Sequence, residues 1–262
     1  MHATTQYLIS NTQSPIPTCP CAGLGYLRLD LPTTHQDFGR LIPCTCQAAR
    51  LAARRAHSLN SLGTLTLYAR HTFDAFQADR PDLPPDERRR LIRALGRARA
   101  YADDPRGWLL LFGNHGSGKT HLAAAIANHR VAVIQQPALL LTVADLLDHL
   151  RAAYSPQSAV TYDARFDAIR TAPLLVLDDL GAHSATTWAQ EKLHQLLDHR
   201  YVGHLPTVIT TALTLDELER HDPRLFTRIL DRNHCTHLPI LAPPYGARPV
   251  SPPSRGGVGG GQ

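Results

Sequence analysis

The sequence predicts an α/β fold: a parallel five-stranded sheet flanked by helices, with a small Cys-rich domain in front of it. Three observations predict it. From Trp108 to Ile240, apolar runs of strand length alternate with segments of helical period, the order that gives a parallel sheet covered on both faces. The stretch Gly113–Thr120, G-N-H-G-S-G-K-T, fits G-x-x-x-x-G-K-[ST], the phosphate-binding P-loop, and lies between a strand candidate and a helix candidate. Two tight cysteine pairs, Cys19/Cys21 and Cys44/Cys46, precede all of this and have the economy of a metal-held knuckle.

Composition narrows the setting. The 262 residues are 43% hydrophobic, enough for one full domain and a smaller one. No apolar run reaches the ~18–20 residues of a membrane span, and the first residues lack the pattern of a signal peptide, so a cytoplasmic location is expected. The net charge of +5 is compatible with nucleic acid without pointing to it. Lysine occurs only at 119 and 192, and the other cations are arginines. The fifteen histidines show no metal-ligand spacing such as H-E-x-x-H.

Taken in order, residues 1–18 read as a flexible tail and residues 19–60 as the Cys-rich head with a basic helix at 47–60. Four thiolates in two close pairs can close a tetrahedral zinc site, and Gly23 and Gly25 allow the turn it needs. So small a segment buries little core, so a metal would supply its folding energy. Both pairs are C-x-C, tighter than the commoner C-x-x-C, and His35 is an alternative ligand; free thiols are the competing reading. Lone Cys235 reads as a small buried hydrophobe. Residues 61–86 read as a linker with an anchored aromatic patch at Thr72–Phe76.

The main domain is expected over 87–241 and a disordered tail over 242–262. Pro85-Asp86-Glu87 opens a helix in which Leu91, Leu95, Ala98 and Ala102 recur at helical spacing. The arginines at 88, 89, 90, 93, 97 and 99 cover its other faces, either as a nucleic-acid contact or as a solvated face. Strand candidates follow at 108–112, 138–142, 173–181, 206–211 and 236–240, with helices between them at 121–128, 144–154, 162–171, 186–201 and 214–221 and a further segment at 223–231.

The chemistry gathers at two motifs. Glycines at 113, 116 and 118 let backbone N–H groups approach phosphate oxygens, and the helix that follows adds its dipole. Gly113, Asn114, His115, Gly116, Ser117, Gly118, Lys119, Thr120 and His121 are the candidate ATP-binding residues. Lys119 is expected on the β- and γ-phosphates and Thr120 on Mg²⁺. Leu174-Leu-Val-Leu-Asp178-Asp179 delivers two acids at the ligand-binding edge of the sheet, Asp178 for Mg²⁺ and Asp179 for the attacking water.

These residues, with Gly-Lys-Thr-His-Leu-Ala-Ala-Ala-Ile-Ala-Asn (118–128), Leu-Leu-Asp-His-Leu-Arg (146–151), Leu-Asp-Asp-Leu-Gly (177–181), Trp-Ala-Gln-Glu-Lys-Leu (188–193) and Leu-Pro-Thr-Val-Ile-Thr-Thr (205–211), resemble the DnaC/DnaI-type helicase loaders. That group of AAA+ ATPases includes the IstB-type transposition helpers. The resemblance covers roughly Tyr101 to Ile240, and the cysteine head is similar to the zinc-binding head of some loaders. It implies an ATPase that places the replicative DNA helicase on single-stranded DNA and assembles with copies of itself. An IstB-like ATPase delivering DNA to a transposase is the alternative, and a non-hydrolysing, ATP-switched adaptor is a third reading. By the same resemblance, Phe226-Thr-Arg228-Ile-Leu-Asp-Arg232 puts Arg228 forward as the arginine finger, with Arg232 second and an ordinary surface salt bridge as the plain alternative. The family's sensor amide is replaced by Ala212, which implies slow hydrolysis or substitution by Thr210 or Thr211. Arg248 loosely echoes a second sensor, and the base is expected near Tyr101–Trp108.

Overall fold

The computed structural model describes residues 19–28, 31–35, 37–47, 59, 62–153, 161–181 and 186–245. Residues 1–18, most of the basic helix, the tail from 246 onward and Arg248 lie outside them. The chain divides into two units, Met1–Ser58 and Leu59–Gln262.

The first unit is a short antiparallel hairpin of β1 (Tyr26–Arg28) and β2 (Leu41–Pro43), with Tyr26 opposite Pro43. The turn before β1 takes positive φ at Gly23 (89°) and Gly25 (84°), as the glycines predict. The Cys44 N–H donates to the Gly25 carbonyl at 2.8 Å, which brings the second cysteine pair beneath the first.

In the second unit, helix α1 (Pro85–Asp103) precedes β3 (Trp108–Phe112), the loop, and α2 (Lys119–Ala132). Then come β4 (Ala138–Thr142), α3 (Val143–Ala152), α4 (Tyr162–Arg170), β5 (Leu174–Leu180), α5 (Thr187–Val202) and β6 (Thr207–Thr211). Two short helices, α6 (Leu215–His221) and α7 (Pro223–Leu230), lead to β7 (Cys235–Pro239). The five strands are parallel in the order β4-β5-β6-β3-β7. Strands β3 and β5 thus flank β6, and the C-terminal edges of all three meet at one place.

Side chains along each strand alternate between two cores, as the two-residue repeat requires. Trp108, Leu110, Leu139, Leu141, Leu175, Leu177 and Ile209 face the core built with α3 to α7. Leu109, Leu111, Leu140, Val176 and Val208 face the core built with α1 and α2. Threonines start four helices: Thr142, Thr161, Thr186 and Thr214 each accept an N–H from the first turn through their hydroxyls, at 3.0–3.3 Å.

The segment read as a linker packs closely on the second unit. Phe73, Phe76, Ala78 and Leu83 are buried, and Asn128 on α2 donates to the carbonyls of Tyr68 and His71, both at 2.9 Å. Arg200 is fully buried on α5. It donates to the Thr207 hydroxyl and to the carbonyls of Arg170, Ala172 and Pro206 at 2.6–3.0 Å, tying α4 and α5 to the entries of β5 and β6.

Candidate nucleotide-binding site

The loop between β3 and α2 has the backbone its glycines predict. Gly113, Gly116 and Gly118 all take positive φ (140°, 70° and 101°), a region costly for residues with a Cβ. A Cβ at 113 would sit on the Ile240 carbonyl oxygen, and one at 118 would lie 2.8 Å from the Phe76 ring. Asn114, His115 and Gly116 are exposed along the loop, and Ser117 is buried beneath it. Lys119 is 5% exposed, and its ammonium donates to the carbonyls of Gly113 (2.9 Å) and Asn114 (2.7 Å). Burial holds the lysine below its ordinary pKa, and the charges of Asp179 and Asp178 work against that shift.

Thr120 and Asp178 meet. The Thr120 hydroxyl lies 2.9 and 3.1 Å from the two carboxylate oxygens of Asp178. A hydroxyl and a carboxylate side by side are the hard oxygen donors that Mg²⁺ takes. Asp178 is 2% exposed, and burial pushes its carboxyl above the usual range against the hydroxyl donors that lower it.

Thr210 on β6 makes the contact that the sequence alone conceals. Its hydroxyl donates to Asp178 Oδ1 at 2.6 Å and accepts the Asp179 N–H at 3.0 Å. Pairing between β5 and β6 shifts register between Leu177 and Leu180, and Asp179 takes φ 58° within that bulge. Of the two adjacent acids, one is turned into the fold and the other is exposed at the edge of the site. Thr211 is also committed, donating to the Leu180 carbonyl at 2.7 Å and accepting the Leu213 N–H. Ala212 follows directly, half-buried.

The residues after β7 back the loop. Ile240 N–H donates to the Phe112 carbonyl (2.8 Å) and Tyr245 N–H to the Gly116 carbonyl (3.2 Å). The Tyr245 hydroxyl donates to the Gln77 carbonyl at 2.8 Å. Arg80, 5% exposed and paired with Asp82, donates to the Pro243 carbonyl and lies 4.6 Å from the Tyr245 ring centre. His121 bonds the Thr72 carbonyl at 2.9 Å and packs edge-on against Phe76. Trp108 is fully buried at the start of β3, ~13 Å of strand away from the loop, while Phe76, His121 and Tyr245 stand beside it.

Arg228 on α7 pairs with Asp198 on α5 at 2.6 Å and donates to the Arg224 carbonyl. Arg232 is exposed.

In the first unit the sulfurs of Cys19, Cys21, Cys44 and Cys46 all lie within 4.8 Å of one another. Neighbouring pairs are 3.0–3.5 Å apart, near the ~3.8 Å edge of a tetrahedron of thiolates at ~2.3 Å from zinc. Cys21 accepts the Gly25 N–H at 3.3 Å, and its bond with Cys46 draws its thiol down to about 6. This donor set fits zinc. His35 takes no part, since its Nδ1 accepts the Asp37 N–H. Cys235 is buried at the start of β7, and burial pushes its thiol up to about 12.

A model of the IstB-like ATP binding protein family matches residues 47–248. The chain belongs to this family. It has a parallel sheet and a P-loop, and the family is an ATP-binding one, which implies nucleotide and Mg²⁺ at the site just described. Among curated proteins, the replicative helicase loader DnaI of Bacillus subtilis is 33% identical over 114 residues, covering 43% of this chain and 35% of that protein. The replicative helicase loader DnaC of Escherichia coli K12 is 28% identical over 144 residues, covering 54% and 57%. The chain therefore spans about a third to just over half the length of these relatives. A crystal structure of the DnaC helicase loader superposes with TM-score 0.55 at 21% identity, covering 66% of this chain and 97% of that one, a likeness of fold. Among the described residues no helix is long and apolar enough to cross a membrane.

Proposed function

We propose that this chain is an ATP-hydrolysing loader that delivers a replicative DNA helicase to single-stranded DNA. The observation that carries the ATPase part is the Thr120 hydroxyl at 2.9 Å from the buried Asp178 carboxylate, beside Lys119. The loader part rests on the relatives named replicative helicase loader.

In this reading the backbone N–H groups of 113–120 and the Lys119 ammonium hold the triphosphate, and Thr120 and Asp178 hold Mg²⁺. The metal, when bound, neutralises charge that develops on the phosphoryl oxygens. Asp179 orients the attacking water and receives its proton, and its place on the bulge supports that role. Arg228 of a neighbouring copy supplies the arginine finger after leaving Asp198, so a complete site takes two chains. With Ala212 at the sensor position and both threonine hydroxyls engaged elsewhere, turnover is slow. The cysteine head, loaded with zinc, holds the helicase in the cytoplasm.

A second reading, delivery of DNA to a transposase, is favoured by the family match itself, which begins at residue 47 and leaves the cysteines out. Pull-down with the replicative helicase and, in a parallel arm, with a transposase of the same organism, using the intact chain and a Cys19→Ser/Cys44→Ser variant, tests both. Capture by the intact chain and loss in the variant support the loader. Capture of the transposase in place of the helicase overturns it. ATP turnover no faster than that of Lys119→Ala, with or without single-stranded DNA, would leave only the adaptor.

A further inference from the structure

Six arginines lie within twelve residues of α1, and the fold separates them into two sets. Arg88 pairs with Asp79, Arg89 with Asp86 and Arg99 with Asp74. Among the described residues, Arg90, Arg93 and Arg97 have no ion pair, and all three are exposed. These three line one groove of about 420 Å³ between α1 and the residues that end β7 and follow it, Leu238–Ala242. Glu87 stands at its rim, and no aromatic side chain lines it.

We infer that this groove binds the phosphate backbone of single-stranded nucleic acid; the inference rests on the single-strand part of the proposed function and gives it a location. Positions 90, 93 and 97 follow one helix face at i, i+3 and i+7 and span ~10 Å of its axis. At ~3.4 Å per nucleotide of a stacked strand, three cations over that length meet about three successive phosphates. The opposite wall is apolar, with Leu241 53% exposed for the sugar edges. Without aromatics to stack on, the groove reads charge and spacing and no base sequence.

An acidic peptide added to the sheet edge is the competing occupant, and the strand argues against it. The Ile240 N–H points to Phe112 on β3, so position 239 faces the free edge of β7, and Pro239 has no N–H to offer.

The test is fluorescence anisotropy of a labelled 20-mer of deoxythymidine, titrated with the full chain between 50 and 200 mM salt. An Arg90→Gln/Arg93→Gln/Arg97→Gln variant is compared with Arg88→Gln/Arg89→Gln/Arg99→Gln, which loses the same charge. Three single-strand phosphate contacts contribute about −2 to the slope of log K against log salt. The intact chain therefore loses affinity about 20-fold more steeply over this range than the groove variant. The paired-arginine variant keeps the intact slope. Leu241→Glu, at an exposed position off the helix, weakens binding without touching α1 and guards against misfolding of the triple variant. Equal slopes for both triple variants, or a Leu241→Glu chain that binds as the intact one does, overturn the groove while single-strand binding stands. Displacement of the strand by polyglutamate at equal charge overturns it in favour of a peptide. An intact chain that does not bind the 20-mer overturns both the groove and the single-strand reading, and the helicase pull-down then reports separately on loading.

Discussion

Replacing Thr210 by valine keeps the shape of the side chain and removes one hydroxyl. That hydroxyl donates to Asp178 Oδ1 at 2.6 Å and accepts the Asp179 N–H at 3.0 Å. A hydrogen bond to a charged group contributes about 1.5–3 kcal/mol, and an N–H deprived of its partner costs about 1–3 kcal/mol more. The two together come to roughly 2.5–6 kcal/mol. For a unit of about 200 residues each kcal/mol shifts the melting temperature by ~2–4 °C, so Thr210→Val is expected to melt about 10 °C lower. Thr210→Ser keeps both bonds and loses only a methyl, so it stays within a few degrees of the intact chain. The Asp178 carboxyl, stripped of its shortest donor, rises further from the ordinary carboxylate range, and the Mg²⁺ concentration needed for nucleotide binding rises with it. Calorimetric melting with a titration of a fluorescent ATP analogue against Mg²⁺ reads both effects. A Thr210→Val chain that melts within 2 °C of the intact one, with unchanged Mg²⁺ dependence, would refute the coupling of β6 to the acids.

Arg200→Met leaves the Arg170 and Ala172 carbonyls and the Thr207 hydroxyl without a donor, while the Pro206 carbonyl keeps the Leu175 N–H, and should cost roughly 3–5 kcal/mol by urea denaturation; less than 1 kcal/mol would show that water replaces the guanidinium. Gly113→Ala drives a Cβ into the Ile240 carbonyl, and should abolish ATP-analogue binding and lower the melting temperature, whereas Gly96→Ala, with open space around it, should leave both intact or raise stability slightly. Burial holds His121 and His234 below their ordinary pKa, so the unfolded chain binds more protons than the folded one; their contribution is full above about pH 6.5 and is lost as the pH falls below it. Urea midpoints at pH 7.5 and 5.5 should differ less in His234→Gln than in the intact chain. Freshly purified protein should carry about one zinc per chain by atomic emission, and Cys44→Ser close to none.

β3, β4 and β5 were legible because each is a nearly unbroken apolar run, as burial on both faces of a parallel sheet demands, whereas β6 and β7 carry threonines and a histidine and showed mainly by their place in the alternation. Gly113–Thr120 was legible because its glycines answer one backbone requirement that few other residues meet. The order of Asp178 and Asp179 was legible, but the bulge opposite β6, which turns Asp179 to positive φ, was not. Thr210 was hidden for a related reason, since a threonine in a strand is ordinary and its partner comes from a neighbouring strand. Proline and glycine near the end of the chain suggested disorder from 242, yet Ala242 is buried and Pro243 to Tyr245 lie against the loop, held by Arg80 from far upstream. The six arginines of α1 differ through their aspartate partners, Asp86 on the helix itself and Asp74 and Asp79 on the segment before it, and composition does not show which of them are paired.

The backing of the P-loop has a consequence for how the chain matures. Tyr245 is bonded to Gly116 but follows it by 129 positions, and Ile240 follows Phe112 by 128. During synthesis, which adds roughly 5–20 residues per second, the loop and its helix leave the ribosome well before the residues that back them. β7 and the stretch through Tyr245 arrive later and close the far edge of the sheet. The backing of the nucleotide site is therefore completed by residues far beyond its own motif, and any stabilisation by bound ATP is expected to be larger once the chain has been translated through Tyr245.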